Sequence, residues 1–438
     1  MLTVDLQAQH SRHLLPQSTK ILSSDSLVLV IFFLVSLAFI MIAAGDGDPP
    51  RPPSRLRRVS GNIGRNAPTT SASAPQRPPS RNGDFSGGGG GIIPAQGRNT
   101  PTPGARPPLQ RPPSRNGDPH RQSLRQIATE TMAALNNGYV DEPVLHRNAF
   151  CRHRIGSQIR ETERHTIFYP DNSAELRRWK APPPAFLRDA KQAKLQFVSF
   201  STLKGARYLH SITAPSHPSL TQAPMGILNF ASATQPGGGF LNGAAAQEES
   251  IARSSSLYSS LNSPTAAAFY NSHKRDDKGG FYSHAMIFSP SVMLFREDDG
   301  TWMKPIKVQV ITSPAVNAKV ARQRHQRPSD GRRNGGRVGD DDGGDRALEA
   351  RIREVMTERM ARILALFELQ GVRNIVLGSF GTGVYQNDVR MVAEIWRWLL
   401  HGRNARFARS FDHVLFAIPD TRTLEKFRSG FGPLRGVM

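Results

Sequence analysis

The chain has 438 residues and carries 57 Lys and Arg against 35 Asp and Glu, a formal surplus of 22 positive charges. Between residues 45 and 125 there are 13 arginines, no lysine and four acids, so much of the surplus belongs to a tail and says less about the folded part. Cys151 is the only cysteine, which excludes an intrachain disulfide and a Cys-based metal site and fits a reducing compartment.

Residues 1–26 read as an N-terminal tail. Residues 27–44 form an 18-residue run that is apolar apart from Ser36. This is near the minimum for crossing a bilayer and long for a signal-peptide core. The run is a candidate transmembrane helix or signal anchor; a cleaved signal and a misplaced start of the gene remain alternatives. Arg51, Arg55, Arg57 and Arg58 follow it closely, while only Arg12 and Lys20 precede it. The positive-inside rule then orients a single-pass membrane protein with its C-terminal bulk in the cytosol. Without an anchor, cytoplasm or nucleus is expected.

Residues 45–119 are rich in Pro, Arg, Gly and Ser and repeat a short unit, Arg51-Pro-Pro-Ser-Arg55, then Arg77-Pro-Pro-Ser-Arg-Asn-Gly-Asp84, then Arg111-Pro-Pro-Ser-Arg-Asn-Gly-Asp118. Such a segment buries too little apolar surface to offset its ordering entropy and is expected to be a disordered linker. It serves as a spacer, or as a docking segment for acidic lipid, nucleic acid or a polyproline-binding module.

Folded sequence is expected from 120 to about 430. Residues 123–137 have helical spacing (Leu124, Ile127, Thr131, Leu135) and Gly138 as a stop. Residues 227–230, 286–289, 292–295 and 306–312 read as strands. Residues 322–345, polar and Gly-rich, read as a disordered insertion. Residues 347–370 form an amphipathic helix with Ile352, Met356, Ile363 and Phe367 on one stripe, ended by Gly371. A buried strand over 374–378, a helix over 388–400 capped by Asn387, and a last strand over 413–418 complete the alternation, which implies an α/β sandwich.

Two glycine loops carry the chemistry. Residues 236–250 read Pro-Gly-Gly-Gly-Phe-Leu-Asn-Gly-Ala-Ala-Ala-Gln-Glu-Glu-Ser and follow the strand 227–230 directly. Consecutive glycines let backbone approach a ligand and adopt positive φ, and their N–H groups can form an anion concavity. Gln247-Glu248-Glu249 then puts two carboxylates where a helix begins, which by itself suits only the helix dipole. The second loop, residues 378–385 (Gly-Ser-Phe-Gly-Thr-Gly-Val-Tyr), also leaves a strand and precedes a helix, an arrangement suited to phosphate. Two such loops at strand ends suit a diphosphate in the crevice of an α/β sheet. Neither is a Walker A motif or a dinucleotide fingerprint. Tyr385 can stack on a sugar or base, or serve as a core aromatic.

Leu228-Asn-Phe-Ala-Ser-Ala233, Pro236-Gly-Gly-Gly239 and Gln247-Glu-Glu-Ser250 together resemble the microbial-type poly(ADP-ribose) glycohydrolases, for which the Gly-Gly-Gly, spacer, Gln-Glu-Glu signature is specific. Further matches run in order from Thr129 to Ile418, so the resemblance spans about residues 121–428. It implies an α/β macrodomain-like three-layer α/β/α sandwich with a mixed central sheet and an N-terminal helical extension. It implies hydrolysis of ribose–ribose O-glycosidic bonds in poly(ADP-ribose), releasing ADP-ribose, without metal or cofactor.

By position, the resemblance makes Glu249 the catalytic acid. Glu248 would hold ribose hydroxyls, Asn229 would contact the substrate, and Gln247 would position the pair. Gly237, Gly238 and Gly239 would approach the distal ribose and phosphates. Gly381, Thr382, Gly383 and Val384 would cradle the diphosphate, with Tyr385 packing on ribose. The family loop is usually Gly-Cys-Gly-Val-Phe, so Thr382 and Tyr385 depart from it.

Cleavage needs a proton on the leaving 2′-oxygen and one taken from the attacking water, and one glutamate can do both. Adjacent glutamates diverge and cannot act as the separated pair of many glycosidases. The acid must hold its proton near neutrality, which burial beside a second carboxylate favours. Expected partners are poly(ADP-ribose) or ADP-ribose, ADP-ribosylated proteins, and a membrane through 27–44; sequence-specific nucleic acid is not among them. Rival readings are a non-catalytic ADP-ribose reader, a mono(ADP-ribosyl) hydrolase and a membrane-tethered scaffold.

Overall fold

The computed structural model of the chain describes residues 118–434, apart from 145–148, 188, 216–221 and 327–341. The chain divides into two units, Met1–Pro103 and Gly104–Met438, and every described residue belongs to the second. The tail 1–26, the apolar run 27–44 and almost all of the linker 45–119 lie outside the described residues. The expectation of a single-pass membrane protein is corrected: among the described residues no helix is long and apolar enough to cross a membrane.

The N-terminal extension comes first. Helix α1 (Pro119–Asn137) begins four residues earlier than its periodicity predicts, because Pro119 sits in the first turn and Asp118 accepts from the His120 N–H. It stops where expected, at Gly138 with φ +73°. The hairpin β1 (Tyr139–Val144) and β2 (Ala149–Arg154) follows, then α2 (Gly156–Arg164), β3 (Ile167–Tyr169) and the single turn α3 (Ala174–Arg177). Arg296, 1% exposed, ties α1 to the body through Glu130 at 2.8 Å while its guanidinium lies over the Trp302 ring at 3.4 Å.

The body alternates strands and helices. In chain order these are β4 (Lys194–Val198), α4 (Thr202–Ile212), β5 (Met225–Phe230), α5 (Gln247–Ser254), α6 (Leu257–Leu261), α7 (Pro264–Arg275), β6 (Met286–Arg296), β7 (Trp302–Ser313), α8 (Ala318–His325), α9 (Asp342–Leu369), β8 (Asn374–Leu377), α10 (Val389–Leu400), β9 (His413–Ala417) and α11 (Thr421–Phe431). Strands β3 to β9 form one mixed sheet in the order β3-β6-β7-β5-β8-β9-β4. The pairs from β7 through β5, β8 and β9 to β4 are parallel, while β6 runs antiparallel to β3 and β7.

Side chains alternate between the two faces of the sheet, as strand geometry demands. Leu228, Ile375, Leu377, Val414 and Phe416 join one core with α9, α10 and α11. Ile227, Val376 and Leu415 join a second core with α4, α5, α6 and α7. These are the two filled gaps of a three-layer α/β/α sandwich, as the resemblance implies. Trp396 of α10 is fully buried in the first core and donates to the Gly378 carbonyl at 3.2 Å, so replacing it with Ala costs roughly 3–5 kcal/mol.

Three sequence expectations are corrected here. Residues 286–289 and 292–295 belong to a single strand, β6, interrupted by a bulge between Ser289 and Val292 where Ser291 takes φ +57°. Residues 322–345 are not one disordered insertion: 322–325 end α8 and 342–345 begin α9, because their charges find partners. The Arg322 guanidinium grips Glu349 at 2.6 and 3.0 Å and donates to the Gln386 carbonyl at 2.8 Å. Helix α10 is capped by Asp388, whose carboxylate accepts from the Met391 N–H at 2.7 Å. Asn387 is instead buried, donating to the carbonyls of Val316 and Gly381.

Candidate active site

Strand β5 ends at the site. The Asn229 side chain, fully buried, points from it and donates to Glu248 Oε1 at 3.3 Å and Thr312 Oγ1 at 3.2 Å. The chain then loops back through residues 231–246 to α5, and Gln247 laces the return. Its Oε1 accepts from the Phe230 N–H at 2.8 Å, and its Nε2 donates to the Leu228 carbonyl at 2.8 Å and to Thr202 Oγ1 at 3.0 Å. One amide thus completes the end of β5 and ties it to the first turns of α4 and α5.

The two glutamates differ sharply in environment. Glu248 is 2% exposed, and its Oε2 accepts from the Ser232 N–H at 2.6 Å. Burial raises its carboxyl to about 8, helped by the nearby Glu249 charge, despite hydrogen bonds from Ser232, Asn229 and Gly237. Glu249 lies at the wall of the cavity, with Oε1 accepting from the Gly239 N–H at 2.9 Å. Its Oε2 takes no hydrogen bond among the described residues. The group that burial holds neutral is therefore the inner carboxyl, Glu248.

The three glycines serve these carboxylates. Gly237 and Gly238 take φ of +65° and +58°, conformations that cost an L side chain roughly 1–2 kcal/mol. The Gly237 amide reaches Glu248, the Gly239 amide reaches Glu249, and the Gly238 amide closes a turn onto the Gln235 carbonyl. The expected phosphate concavity at these N–H groups is corrected: their donors are already spent on carboxylates and on the turn.

Both loops line one cavity of about 910 Å³, within the usual size range of ligand sites. Its walls are the first loop, the start of α5, residues 379–385, the chain after β9 and Asp298. Asp298 accepts from Ser201 Oγ and from Ser250 Oγ, tying the cap of α4 and the first turn of α5 to the β6–β7 turn.

In the second loop, Gly381 takes φ +75° and its carbonyl is held by Asn387 Nδ2 at 3.0 Å. Thr382, at the cavity wall, turns its hydroxyl onto the Ser379 carbonyl at 3.0 Å. No protein acceptor takes the backbone N–H groups of Gly383, Val384 or Tyr385 among the described residues, and Val384 is 75% exposed at the rim. The Tyr385 hydroxyl titrates above its ordinary value because it is buried, with Tyr282 beside it at 6.1 Å between rings. Its ring packs on the core and lines the cavity at once, so it has the core role that the sequence allowed and also faces the site.

Several supporting residues escaped the sequence reading. Arg359, fully buried, donates to the carbonyls of Pro314, Phe281 and Tyr282 at 2.8–3.3 Å, and burial lowers it to about 9. The signal was present: it sits on the apolar stripe of α9, three residues after Met356 and four before Ile363, where a cation has no reason to be unless it is buried and paired. Lys319 and Arg322 of α8 hold the carbonyls of Tyr385 and Gln386.

A mixed-sheet α/β/α sandwich with a buried and a half-exposed carboxylate at a glycine loop defines a macrodomain-like hydrolase. The family model for the catalytic domain of microbial-type poly(ADP-ribose) glycohydrolase (PARG) matches residues 128–297. Among solved structures, the chain is similar to the poly(ADP-ribose) glycohydrolase of Thermomonospora curvata, with 32% identity and a TM-score of 0.57 over 71% of this chain and 98% of that one. It is similar to the same enzyme bound to the inhibitor ADP-HPD, at 32% identity and a TM-score of 0.54 over 71% and 98%. It also resembles the poly(ADP-ribose) glycohydrolase of Deinococcus radiodurans in complex with ADP-ribose, at 29% identity and a TM-score of 0.50 over 62% and 96%. No curated protein matches. The chain belongs to the microbial-type poly(ADP-ribose) glycohydrolase family.

Proposed function

We propose that this chain hydrolyses the ribose–ribose O-glycosidic bonds of poly(ADP-ribose) and releases ADP-ribose, with Glu249 as the catalytic acid and base. The observation that carries the assignment is the asymmetry of the glutamate pair. Glu249 is held by one oxygen on the Gly239 N–H and keeps the other free at the cavity wall. From there a proton passes to the leaving 2′-oxygen as positive charge develops at the anomeric carbon; the same oxygen then takes a proton from the attacking water.

Glu248 supports this step from behind. Kept neutral by burial up to about pH 8, it can offer its O–H as a hydrogen-bond donor to a ribose hydroxyl. Asn229 and Gln247 fix the two carboxylates from β5. The free amides of Gly383, Val384 and Tyr385 suit a diphosphate, with the Tyr385 ring against the sugar. Thr382, whose N–H and hydroxyl both go to the Ser379 carbonyl, shapes that loop rather than donates to the ligand.

The test is ADP-ribose release from purified poly(ADP-ribose) by the wild-type chain and by Glu249→Gln. Release by the first and none by the second is expected. Binding of ADP-ribose without release by either would leave a reader domain. Release of a single ADP-ribose from modified protein, with polymer untouched, would indicate a mono(ADP-ribosyl) hydrolase.

A further inference from the structure

We propose that Glu142, Cys151 and His153 form a zinc site on the β1–β2 hairpin, separate from the hydrolytic centre. In the antiparallel register Glu142 lies directly opposite Cys151. His153, two residues further along β2, projects to the same side of the hairpin. The His153 Nε2 stands 2.8 Å from Glu142 Oε2, and the thiol, imidazole and carboxylate donor atoms all lie within 4.8 Å of one another.

The donor set selects the ion. Thiolate with imidazole and carboxylate suits Zn²⁺ rather than Mg²⁺ or Ca²⁺, which take oxygen ligands. Zinc bonds of roughly 2.0–2.3 Å in a tetrahedron place donors about 3.3–3.8 Å apart, so closing the site needs only rotamer adjustment on a fixed backbone. The Cys151 thiol gives its proton to solvent as the Zn–S bond forms, His153 keeps one proton on Nδ1, and water fills the fourth position.

The surrounding charge does not oppose a cation. Arg207 is a basic group near Glu142, and it is paired with Glu297 at 3.0 Å. Arg152, on the opposite side of the hairpin, is paired with Asp141 at 2.8 Å. Counting cysteines in the sequence excluded a Cys-based site; a single thiol completed from the facing strand has no spacing signature.

The site has a structural use. A lone two-stranded hairpin is marginally stable in water, and β2 buries none of its residues. The ion fastens β2 to β1, whose Val140 packs with α1 and α2, so binding is expected to protect the amides of residues 149–154 from hydrogen exchange.

Titration of the metal-free, full-length chain with Co²⁺ tests this. A thiolate-to-metal charge-transfer band with intense tetrahedral d–d absorption should saturate at one equivalent and be displaced by Zn²⁺. Cys151→Ser should abolish the band, and His153→Gln and Glu142→Gln should each weaken binding at least about tenfold with the far-ultraviolet circular dichroism unchanged. Absence of the band in the wild type, or a wild-type titration in both His153→Gln and Glu142→Gln, overturns the site and leaves a histidine–glutamate ion pair beside a bystander thiol. Zinc X-ray absorption on the loaded wild type checks the same point without a variant: one sulfur neighbour is expected, and none overturns it.

Discussion

Gly238 and the Glu249 carboxylate share one space: a Cβ built on Gly238 would stand 2.8 Å from Glu249 Cδ, on a residue already at φ +58°. The family's glycine triplet is therefore a carboxylate socket in this chain. Gly238→Ala is expected to push Glu249 off its Gly239 anchor and lower kcat by about a hundredfold, the usual effect of misplacing a catalytic group by an ångström. The associated backbone strain is about 1–2 kcal/mol. Steady-state kinetics with a parallel urea melt separates the two; unchanged kcat would contradict the socket.

Glu248 should govern stability on the alkaline side. Its folded carboxyl sits at about 8 against an ordinary 4.5, so the folded state holds this proton more tightly than the unfolded chain. The resulting stabilisation is fully present below the ordinary value and is lost as pH rises through 8. His273 acts in the opposite direction: burial lowers it from 6.5 to about 4, so its contribution is present above the ordinary value and is lost as pH falls through 4. Urea melts of wild type and Glu248→Gln at about pH 5 and about pH 9 should show the wild type losing more stability on the alkaline step; equal losses would rule out the buried acid.

Gln247 is the lace between β5, α4 and α5. Gln247→Ala leaves the Phe230 N–H and the Leu228 carbonyl without their side-chain partner and should cost on the order of 2–3 kcal/mol. Gln247→Glu keeps the acceptor but loses both donors, and should fare worse in kcat because it brings a third carboxylate to the pair. Activity retained in Gln247→Glu would show that the amide donors do not position the site.

Tyr385 tests how far the second loop tolerates departure from its family's pattern. Its ring is held by the core and by Tyr282, so Tyr385→Phe should leave KM and kcat nearly unchanged. Tyr385→Ala, which removes the face offered to the sugar, should raise KM roughly tenfold. A large loss in Tyr385→Phe would assign the hydroxyl a role in binding.

What was legible in the sequence was local. The signature around Glu248 and Glu249 lies within one short run, and the long amphipathic helix announced itself by its stripe and by Gly371. The β1–β2 hairpin was not legible, because Ala149-Phe-Cys-Arg-His-Arg154 has no buried face to impose a period of two. Asn387 and Asp388 are both good caps, and only the tertiary fold sends one into the interior. Which glutamate is buried, and where the glycine amides point, depends on Asn229 and Ser232 arriving from β5 and the loop beyond it, which adjacency in sequence does not encode. The stretch from 322 looked unfolded by composition, yet Arg322 and Lys319 brace the second loop from outside.

The first described helix bears on the far side of the same machinery. Arg121 and Arg125 both donate to the Asn242 carbonyl, at 2.7 and 3.2 Å, and Asn242 lies within the loop that carries the glycine triplet. A protease that nicked the chain after Arg125 would leave the sheet, the cavity and both glutamates intact while releasing the clasp on that loop. The vulnerable point for inactivation by clipping thus lies in the first described helix, far in sequence from Glu248 and Glu249.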